Sequence, residues 1–283
     1  MRRRDSIAGC ILGGAIGDAL GGRAERGRVS LSDDTQLTLA TCDSIAEAGR
    51  VDPAHLAETF RRWFEGHRLT GLGSSTLKAL RDLAAGAHWA LAGASGEMAA
   101  GNGAAMRIAP LAFSAADRTT IRDAARITHR SDEAYAGALA VVEAIRGGPR
   151  DSAATLLASV ADALPDSRVR DALIQVAGRQ PSPLPTLAAD FGSSGYVVET
   201  VPLALAAGWA MANGSFGDVI DDLLTVGGDT DTIASIAGQV AGAWIGARSL
   251  PRELVERIPD GALVDETAGR YADWVERAIP EAT

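Results

Sequence analysis

Two acidic tetrads stand directly in front of long apolar stretches that read as buried helices. They are Ser32-Asp33-Asp34-Thr35 and Asp229-Thr230-Asp231-Thr232. One carboxylate at the start of a helix is ordinary capping, because unpaired amide hydrogens and the positive end of the helix dipole attract it. Each tetrad carries a second aspartate that capping does not need. We therefore expect a fold that brings both helix starts together as a site for divalent cations, the alternative being two plain caps.

The helix predicted over 230–247 is apolar nearly all round and is therefore internal. Its first carboxylates stand at the edge of the core, where like charges raise one another's pKa. A divalent cation removes that conflict. Oxygen ligands suit magnesium, manganese or calcium, and the lack of paired histidines or cysteines argues against zinc. Six oxygen-bearing side chains are enough for two ions that share a bridging aspartate.

Alanine and leucine dominate the sequence, and most apolar residues recur at intervals of three and four. This pattern predicts an all-α protein, a compact orthogonal multi-helix bundle without strands. No repeat or shift in composition divides the chain, so we expect one domain over 1–283. Helices are predicted over 6–21, 33–48, 53–65, 74–85, 103–115, 118–128, 132–147, 151–163, 167–177, 197–212, 216–225, 230–247, 252–258 and 265–278. The proline-rich segment 178–195 is predicted to be irregular.

The first predicted helix carries a glycine at every fourth position, at 9, 13, 17 and 21. Glycine destabilises an isolated helix, so something must approach this face closely. We expect another helix to pack there at the centre of the fold. A functional interpretation, compatible with this packing, is that the end of the helix, Gly17-Asp18-Ala19-Leu20-Gly21, lies near a ligand.

Charge and cysteine content exclude several classes of protein. Acidic residues outnumber basic ones 36 to 27, so a net charge of -9 argues against a nucleic-acid backbone as partner. The two cysteines, Cys10 and Cys42, are too few for a disulfide framework in a chain of 283 residues, and neither has the neighbours of a zinc site. This cysteine content fits a reducing cytoplasm best. The run 7–22 is too short for a membrane span and is interrupted by Asp18, and we expect neither a targeting segment nor a membrane association.

Six motifs follow one another along the chain. They are Gly13-Gly14-Ala15-Ile16-Gly17-Asp18-Ala19-Leu20-Gly21, Ser32-Asp33-Asp34-Thr35-Gln36, Gly101-Asn102-Gly103-Ala104-Ala105-Met106-Arg107, Thr128-His129, Gly195-Tyr196-Val197-Val198-Glu199-Thr200 and Gly227-Gly228-Asp229-Thr230-Asp231-Thr232. In this order and spacing the chain resembles the ADP-ribosylglycohydrolase family, which is related to dinitrogenase-reductase-activating glycohydrolase. Any one motif is weak, whereas all six in order are specific and extend over most of the chain.

The resemblance implies an all-α fold of the ADP-ribosylglycohydrolase type with a binuclear magnesium or manganese centre. Its reaction would be hydrolysis of the N- or O-glycosidic bond between ADP-ribose and an acceptor. The cations would hold the hydroxyls of the distal ribose and activate or position water at its anomeric carbon, with Asp33 and Asp231 also acting in catalysis. The implied metal ligands are Ser32, Asp33, Asp34, Asp229, Asp231 and Thr232.

Glu25 is the nearest match to the family's active-site glutamate, which follows the first glycine-rich helix on a mobile loop. A carboxylate there would stabilise the charge of an oxocarbenium-like transition state, or act as the acid or base. Only residues 26–31 separate Glu25 from Ser32, a shorter loop than is usual in the family. The alternative is a surface glutamate paired with a neighbouring arginine.

Further residues match the family's substrate-binding positions. The resemblance implies that the loop Gly101-Asn102-Gly103 holds the diphosphate and distal ribose at a helix start, and that His129 contacts the diphosphate. It also implies that Gly195 and Tyr196 form the adenosine-side wall, with the tyrosine stacked on the base. Taken alone, these residues also fit an Asn-Gly turn, an exposed histidine at a helix end and a core tyrosine.

We therefore expect a metal-dependent hydrolase that removes ADP-ribose from a modified acceptor, with arginine in protein as the favoured acceptor. Its cofactors would be two divalent cations, Mg²⁺ or Mn²⁺, and its partner an ADP-ribosylated protein. One alternative is a hydrolase of the same fold that acts on ADP-ribosylated serine, nucleic acid or a small metabolite. The other is a non-catalytic relative that binds ADP-ribose. The sequence leaves the oligomeric state open, with a monomer favoured.

Overall fold

The computed structural model describes residues 3–23, 27–96 and 99–279, and within them the fold is all-α, as predicted. The α-helices are Arg3–Gly21 (α1), Asp33–Ala48 (α2), Pro53–Glu65 (α3), Ser74–Ala84 (α4), Trp89–Ala92 (α5), Arg118–Arg126 (α6), Asp132–Gly147 (α7), Ala153–Ala163 (α8), Arg168–Gly178 (α9), Leu184–Phe191 (α10), Val197–Asn213 (α11), Phe216–Val226 (α12), Thr230–Ile245 (α13), Arg252–Val255 (α14) and Gly261–Ala278 (α15). The prediction of a single domain stays a prediction.

The helix predicted over 103–115 is wrong in type. This segment forms two 3-10 helices, Asn102–Arg107 and Ala109–Phe113. Pro110 explains the break, because it lacks an N–H donor and disfavours the α conformation of the residue before it. The tighter turn matters for the site, since the first 3-10 helix begins with Asn102.

The segment 178–195 is not irregular throughout, because α10 lies within it. Pro183 is the residue before α10 and Pro185 lies in its first turn, where a missing N–H costs nothing. The prediction of no strands is also wrong in one place. Ala94–Ser95 (β1) and His129–Arg130 (β2) form a two-residue parallel pair in which Ala94 faces His129.

The glycine face of α1 packs directly on the backbone of α13, which confirms the predicted close helix contact. A methyl group on Gly13 would overlap the carbonyl oxygen of Gly238, and one on Gly17 would overlap that of Ala234. At the end of the crossing, the Thr230 hydroxyl donates to the carbonyl oxygen of Gly21 at 2.8 Å. This antiparallel contact brings the end of α1 to the start of α13, beside the second acidic tetrad.

The core surrounds α13, which is buried on nearly all sides from Thr232 to Trp244. Its burial confirms the expectation drawn from its apolar sequence. Cys10 and Cys42 are both buried and form no disulfide, consistent with the sequence analysis. Within the described parts of the chain, none of the helices combines the length and hydropathy that a membrane crossing requires.

Candidate active site

Asp18, on α1, is fully buried and accepts four hydrogen bonds from the start of α2. Its Oδ1 accepts from Ser32 Oγ at 2.7 Å and its Oδ2 from the Ser32 amide at 2.9 Å. The Thr35 amide and hydroxyl also donate to Oδ2, at 3.3 and 2.6 Å. A carboxylate has about four lone-pair positions, so these bonds occupy Asp18. Asp18 therefore fixes the first tetrad to α1 and orients the Ser32 hydroxyl.

Asp34 is the carboxylate of the first tetrad that faces the second. Its Oδ2 accepts from Thr232 Oγ1 at 3.3 Å and lies 3.0 Å from Ser32 Oγ. Its Oδ1 is buried and has no hydrogen-bond partner among the described residues. The pKa of Asp34 is raised well above its usual range. Burial is the largest cause, and the charges of Asp18 and Asp231 add to it. A buried carboxylate oxygen in this state costs free energy that a bound cation would remove.

Asp33 and Asp231 stand near Asp34 and also line a cavity. Burial is the largest cause of a strongly raised pKa at Asp33, followed by the charges of Asp18 and Asp231. The Thr232 amide donates to Asp231 Oδ1 at 2.8 Å. The two tetrads thus form one acidic cluster, in which carboxylates lose solvent and repel one another.

Asp229 precedes α13 but does not cap it with its side chain. Instead, its Oδ2 accepts a hydrogen bond from Asn102 Nδ2 at 2.6 Å, and its amide donates to the carbonyl oxygen of Ser193 at 2.8 Å. In the first tetrad the capping side chain is Ser32, whose Oγ accepts from the Asp34 amide at 3.3 Å. Plain capping therefore does not account for the aspartates of either tetrad.

The acidic cluster fits a divalent cation. Asp18, Asp34 and Asp231 each place one carboxylate oxygen within 4.8 Å of the other two. Because the hydrogen bonds to Asp18 occupy it, Asp34 and Asp231 are the better ligands of these three. The donors are all oxygen, which suits Mg²⁺, Mn²⁺ or Ca²⁺. Ser32, Asp33, Asp229 and Thr232 lie around them and supply further oxygen donors.

A cavity of about 650 Å³ opens beside the acidic cluster. Four carboxylates line it, those of Asp33, Asp34, Asp229 and Asp231, together with Thr232. Gly71 forms part of the wall with φ of +81°, a conformation that favours glycine. A β-carbon there would also lie 3.2 Å from Ser32 Cβ. The cavity wall thus needs a small residue next to the first tetrad.

The loop Gly101-Asn102-Gly103 lines the same cavity. Asn102 Nδ2 donates to Thr200 Oγ1 at 3.0 Å as well as to Asp229, so this side chain ties the loop to both α11 and the second tetrad. The Asn102 amide donates to the carbonyl oxygen of Gly195 at 3.0 Å. That amide is consequently not available to a phosphate oxygen, which corrects part of the expectation for this loop.

His129 is buried, with 3% of its surface exposed, so the interpretation as a solvent-exposed histidine is wrong. Its ring packs on the glycines of the loop: a β-carbon on Gly103 would lie 2.7 Å from His129 Cε1. Its Nδ1 lies 2.9 Å from Thr128 Oγ1, which accepts from Arg107 Nη2 at 2.7 Å. Burial, with a smaller contribution from Arg107, lowers the pKa of His129 to about 3. The imidazole is therefore neutral at physiological pH.

Gly195 and Tyr196 line the cavity next to this loop. Tyr196 is partly buried and packs against the hydrophobic core, and its hydroxyl accepts from Arg168 Nη1 at 3.4 Å. Tyr196 thus belongs both to the edge of the core and to the cavity wall. The interpretation of Tyr196 as a core tyrosine alone is therefore incomplete. Gly195 lies close to the second tetrad, since a β-carbon there would be 3.2 Å from Asp229 Oδ2.

The structure brings together all the predicted site residues that it describes. Glu25 lies outside the described residues. Two residues near the site were missed as functional candidates. Asp18 has a signal, because it is a lone charge in an apolar helix and lies in the segment expected near a ligand, but that signal assigns it no role of its own. Arg168 has none, because it is one of many arginines in this chain.

Comparisons with known proteins agree on one family. A family model described as ADP-ribosylglycohydrolase matches residues 1–281. ADP-ribosylarginine hydrolase Tri1 of Pseudomonas putida (strain GB-1) is 30% identical over 90% of this chain and 74% of its own. ADP-ribosyl-[dinitrogen reductase] glycohydrolase of Rhodospirillum rubrum is 26% identical over 87% and 88%. A solved structure, an ADP-ribosylglycohydrolase-related protein complex, superimposes with a TM-score of 0.69 at 26% identity, covering 96% of this chain and 99% of that one.

Proposed function

Because this chain belongs to the ADP-ribosylglycohydrolase family, we propose that it is a metal-dependent hydrolase that releases ADP-ribose from ADP-ribosylarginine in protein. The observation that carries this proposal is the acidic cluster, in which four carboxylates from the two tetrads line one cavity and Oδ1 of Asp34 is buried without a hydrogen-bond partner among the described residues. The acceptor is chosen because one of the relatives carries ADP-ribosylarginine hydrolase in its name.

In this proposal two divalent cations, Mg²⁺ or Mn²⁺, are held by oxygen donors from both tetrads. When bound, they supply Lewis acidity and a template for ribose hydroxyls and water. The proposed ligands are Ser32, Asp33, Asp34, Asp229, Asp231 and Thr232. Asp18 and Asn102 are proposed as positioning residues, because they hold Ser32 and Asp229 by hydrogen bonds of 2.7 and 2.6 Å.

The remaining residues of the cavity bind the rest of the ligand. The neutral His129 lines the wall through a ring whose Nδ1 is already occupied by Thr128. If the Thr128 hydroxyl donates to Nδ1, then Nε2 carries the hydrogen and offers it to a diphosphate oxygen. Tyr196 presents a ring on which the adenine stacks. A β-carbon on Gly103 would overlap the His129 ring at 2.7 Å, and one on Gly101 would lie 3.1 Å from its Nε2, so glycine leaves room for the ring at both positions.

The reaction breaks the bond between the anomeric carbon of the distal ribose and the acceptor nitrogen. Water supplies the hydroxyl group to that carbon, and a proton passes to the leaving nitrogen. The transition state resembles an oxocarbenium ion, which carboxylates stabilise. We propose Glu25, Asp33 and Asp231 as the catalytic carboxylates, Glu25 on the resemblance alone.

The test is release of free ADP-ribose from an arginine-ADP-ribosylated protein, with Mg²⁺, with Mn²⁺ and with chelator. We expect release only with a cation, and loss of release in Asp231→Ala. Asp162→Asn, an exposed aspartate on α8, is the matched control and should behave like the wild type. Circular dichroism verifies that each variant is folded.

Other outcomes identify the alternatives. Release from a serine-linked, nucleic-acid or small-metabolite conjugate, but not from the arginine conjugate, would change the acceptor and keep the hydrolase. Binding of ADP-ribose without release from any conjugate would indicate a non-catalytic relative. Release that is unaffected by chelator and by Asp231→Ala would contradict the proposed centre.

A further inference from the structure

Arg107 is a buried cation that does not itself line the cavity. It has no exposed surface and ends the first 3-10 helix. Its Nη2 donates to Thr128 Oγ1 at 2.7 Å and to the carbonyl oxygen of Ala124, in the last turn of α6, at 3.3 Å. Its Nε and Nη1 are buried without a hydrogen-bond partner among the described residues. Burial lowers the pKa of Arg107 to about 9, so the side chain is still a cation at neutral pH.

The charge of Arg107 costs free energy, because no carboxylate of the described residues pairs with it. Its guanidinium carbon lies 4.8 Å from the centre of the Phe60 ring, and this cation–π contact offsets part of that cost. Packing alone would be served as well by an apolar side chain of similar volume. What the guanidinium provides beyond packing is a set of donors with no acceptor.

The hydroxyl proton of Thr128 is directed by this donor. Because Arg107 donates to Thr128 Oγ1 and accepts no hydrogen bond, the hydroxyl proton must point to another atom. Among the described residues, the one acceptor in hydrogen-bonding geometry with that hydroxyl is His129 Nδ1, at 2.9 Å. Thr128 is fully buried, so bulk solvent offers no alternative. The hydroxyl therefore donates to Nδ1, and Nδ1 carries no hydrogen.

The neutral imidazole of His129 then carries its hydrogen on Nε2. Nε2 has no hydrogen-bond partner among the described residues, although only 3% of His129 is exposed. A β-carbon on Gly101 would lie 3.1 Å from Nε2, and one on Gly103 would lie 3.3 Å from it. The two glycines thus leave Nε2 open toward the cavity that all three residues line. A nearly buried donor without a partner needs an acceptor, and a ligand in the cavity can supply one.

We propose that Arg107 and Thr128 are positioning residues that hold His129 as its Nε2–H tautomer, so that the cavity offers a neutral hydrogen-bond donor to a diphosphate oxygen. This inference rests on the proposed function, because the diphosphate belongs to the proposed substrate. Ionised phosphate oxygens are acceptors, so the other tautomer, with a bare Nε2, would repel them. The donors run in one direction, from guanidinium through hydroxyl and imidazole to the ligand, and each bond polarises the next.

The first test is nitrogen-15 NMR of the His129 ring with Mg²⁺ and no nucleotide, because protonated and bare ring nitrogens differ in chemical shift. The wild type and Thr128→Ser, which keeps the hydroxyl, should carry the hydrogen on Nε2. Thr128→Val, which removes the hydroxyl, should show a mixture of both tautomers. Thr41→Val is the matched control, since Thr41 is fully buried on α2 and donates to the Leu37 carbonyl oxygen, away from the cavity.

Variants of Arg107 test the origin of the preference. Arg107→Met should also give a mixture of tautomers, because the Thr128 hydroxyl is then free to accept from Nδ1–H. Arg107→Lys retains a side chain that only donates and should keep the hydrogen on Nε2. Unfolding temperature verifies that each variant is folded.

The second test is calorimetric titration of ADP-ribose, ADP and adenosine with Mg²⁺. His129→Phe, which keeps a ring without nitrogens, should weaken ADP-ribose and ADP about tenfold, the lower range for hydrogen bonds to charged groups. Thr128→Val should weaken both by at least about twofold, because apparent affinity falls with the fraction of molecules in the competent state. Thr128→Ser should bind like the wild type. Adenosine lacks the diphosphate, so its affinity should stay unchanged in all three variants.

Hydrogen on Nδ1 in the wild type would overturn the proposal. A wild-type tautomer in both Thr128→Val and Arg107→Met would also overturn it, because these residues would then act in the fold alone. An equal loss of affinity for adenosine and ADP in Thr128→Val would indicate general damage to the cavity and would contradict the diphosphate contact. A wild type that has the Nε2–H tautomer but neither binds ADP-ribose nor releases it from any conjugate would overturn the proposed function and leave the tautomer assignment in place.

Discussion

The Thr232 hydroxyl donates a hydrogen bond to Asp34 Oδ2 at 3.3 Å, although the two residues are 198 positions apart in the chain. This bond joins the second acidic tetrad to the first. It also occupies one oxygen of Asp34 while the other, Oδ1, is buried without a hydrogen-bond partner among the described residues. The residue that joins the tetrads therefore keeps one buried oxygen without a hydrogen bond from the described residues. For this reason Asp34 is the most informative residue to replace.

Asp34→Asn should stabilise the metal-free protein and abolish its stabilisation by cations. Burial and neighbouring carboxylates raise the pKa of Asp34, so its stabilising contribution is fully present below the unfolded pKa, about 3.9, and is lost as the pH rises through the folded value. At pH 8 without cations, we expect the variant to unfold at a higher temperature than the wild type. With millimolar Mn²⁺, only the wild type should gain stability by binding.

Thermal unfolding at pH 8, with chelator and with Mn²⁺, measures both effects. Asp162→Asn, exposed on α8, should respond to Mn²⁺ like the wild type. An Asp34→Asn variant that is stabilised by Mn²⁺ as strongly as the wild type would remove Asp34 from the proposed ligands.

Asn102→Ala should weaken cation binding without unfolding the protein. Asn102 Nδ2 donates to Asp229 at 2.6 Å, and loss of a residue that orients a ligand typically reduces metal affinity by 10- to 100-fold. Titration of Mn²⁺ into the chelator-treated protein measures this affinity. Asn213→Ala is the control, because Asn213 is exposed and donates to the nearby Trp209 carbonyl oxygen, away from the acidic cluster. Equal affinity in both variants would show that Asp229 needs no support from Asn102.

His129→Gln should reduce the loss of stability at acidic pH. The folded-state pKa of His129 is lowered to about 3, from an ordinary value near 6.5. Its contribution to stability is therefore fully present above pH 6.5 and is lost as the pH falls toward 3. Between pH 7 and pH 5, protonation of His129 in the unfolded state should lower the free energy of unfolding of the wild type by about 2 kcal/mol. The variant lacks this group and should not show that loss.

Denaturant unfolding at the two pH values gives the comparison. His67→Asn replaces an exposed histidine in a left-handed conformation that asparagine tolerates, and it is the control for the loss of a histidine outside the site. If the wild type and His129→Gln lose the same stability between pH 7 and pH 5, then His129 is not a buried neutral imidazole.

Gly13→Ala should destabilise the fold by more than about 3 kcal/mol, because the added methyl group overlaps the carbonyl oxygen of Gly238 in a backbone contact. Gly269→Ala is the matched control inside α15. The nearest atom to its β-carbon is Arg4 Nη2 at 3.7 Å, so alanine should stabilise by about 0.5–1 kcal/mol. Urea unfolding gives the free energy of unfolding of each variant. Equal changes in the two variants would show that α1 and α13 can move apart with little loss of stability.

The sequence predicted features that local rules determine. The all-α class and the starts of α2 and α13 follow from apolar spacing and from capping residues, which act within one or two turns. Apolar spacing alone predicts one helix across Pro110, and the cluster of prolines predicts a loop over 178–195. Both predictions are wrong, although the break at Pro110 and the helix that follows Pro183 obey proline stereochemistry.

The remaining parts of the site depend on contacts between distant segments. Nothing near Asp18 in the chain indicates that it accepts hydrogen bonds from Ser32 and Thr35, since those residues belong to another helix. The burial of His129 depends on the loop at Gly103, and the place of Arg168 depends on Glu133 of α7. Such relationships come from packing, which periodicity does not encode.

The backbone contact between α1 and α13 also determines which changes in chain length the protein can accept. Gly13 packs on Gly238, and one turn further along α1 Gly17 packs on Ala234, one turn earlier in α13. The close contacts therefore fix how far the two antiparallel helices can slide along each other. A slip of one turn would move the tetrads by about 5.4 Å, more than the 4.8 Å that spans the carboxylate oxygens of the cluster. A single insertion within either contacting helix would rotate the residues on one side of it by about 100° about the helix axis. The small residues there would leave the contact, and the two halves of the site would lose their alignment.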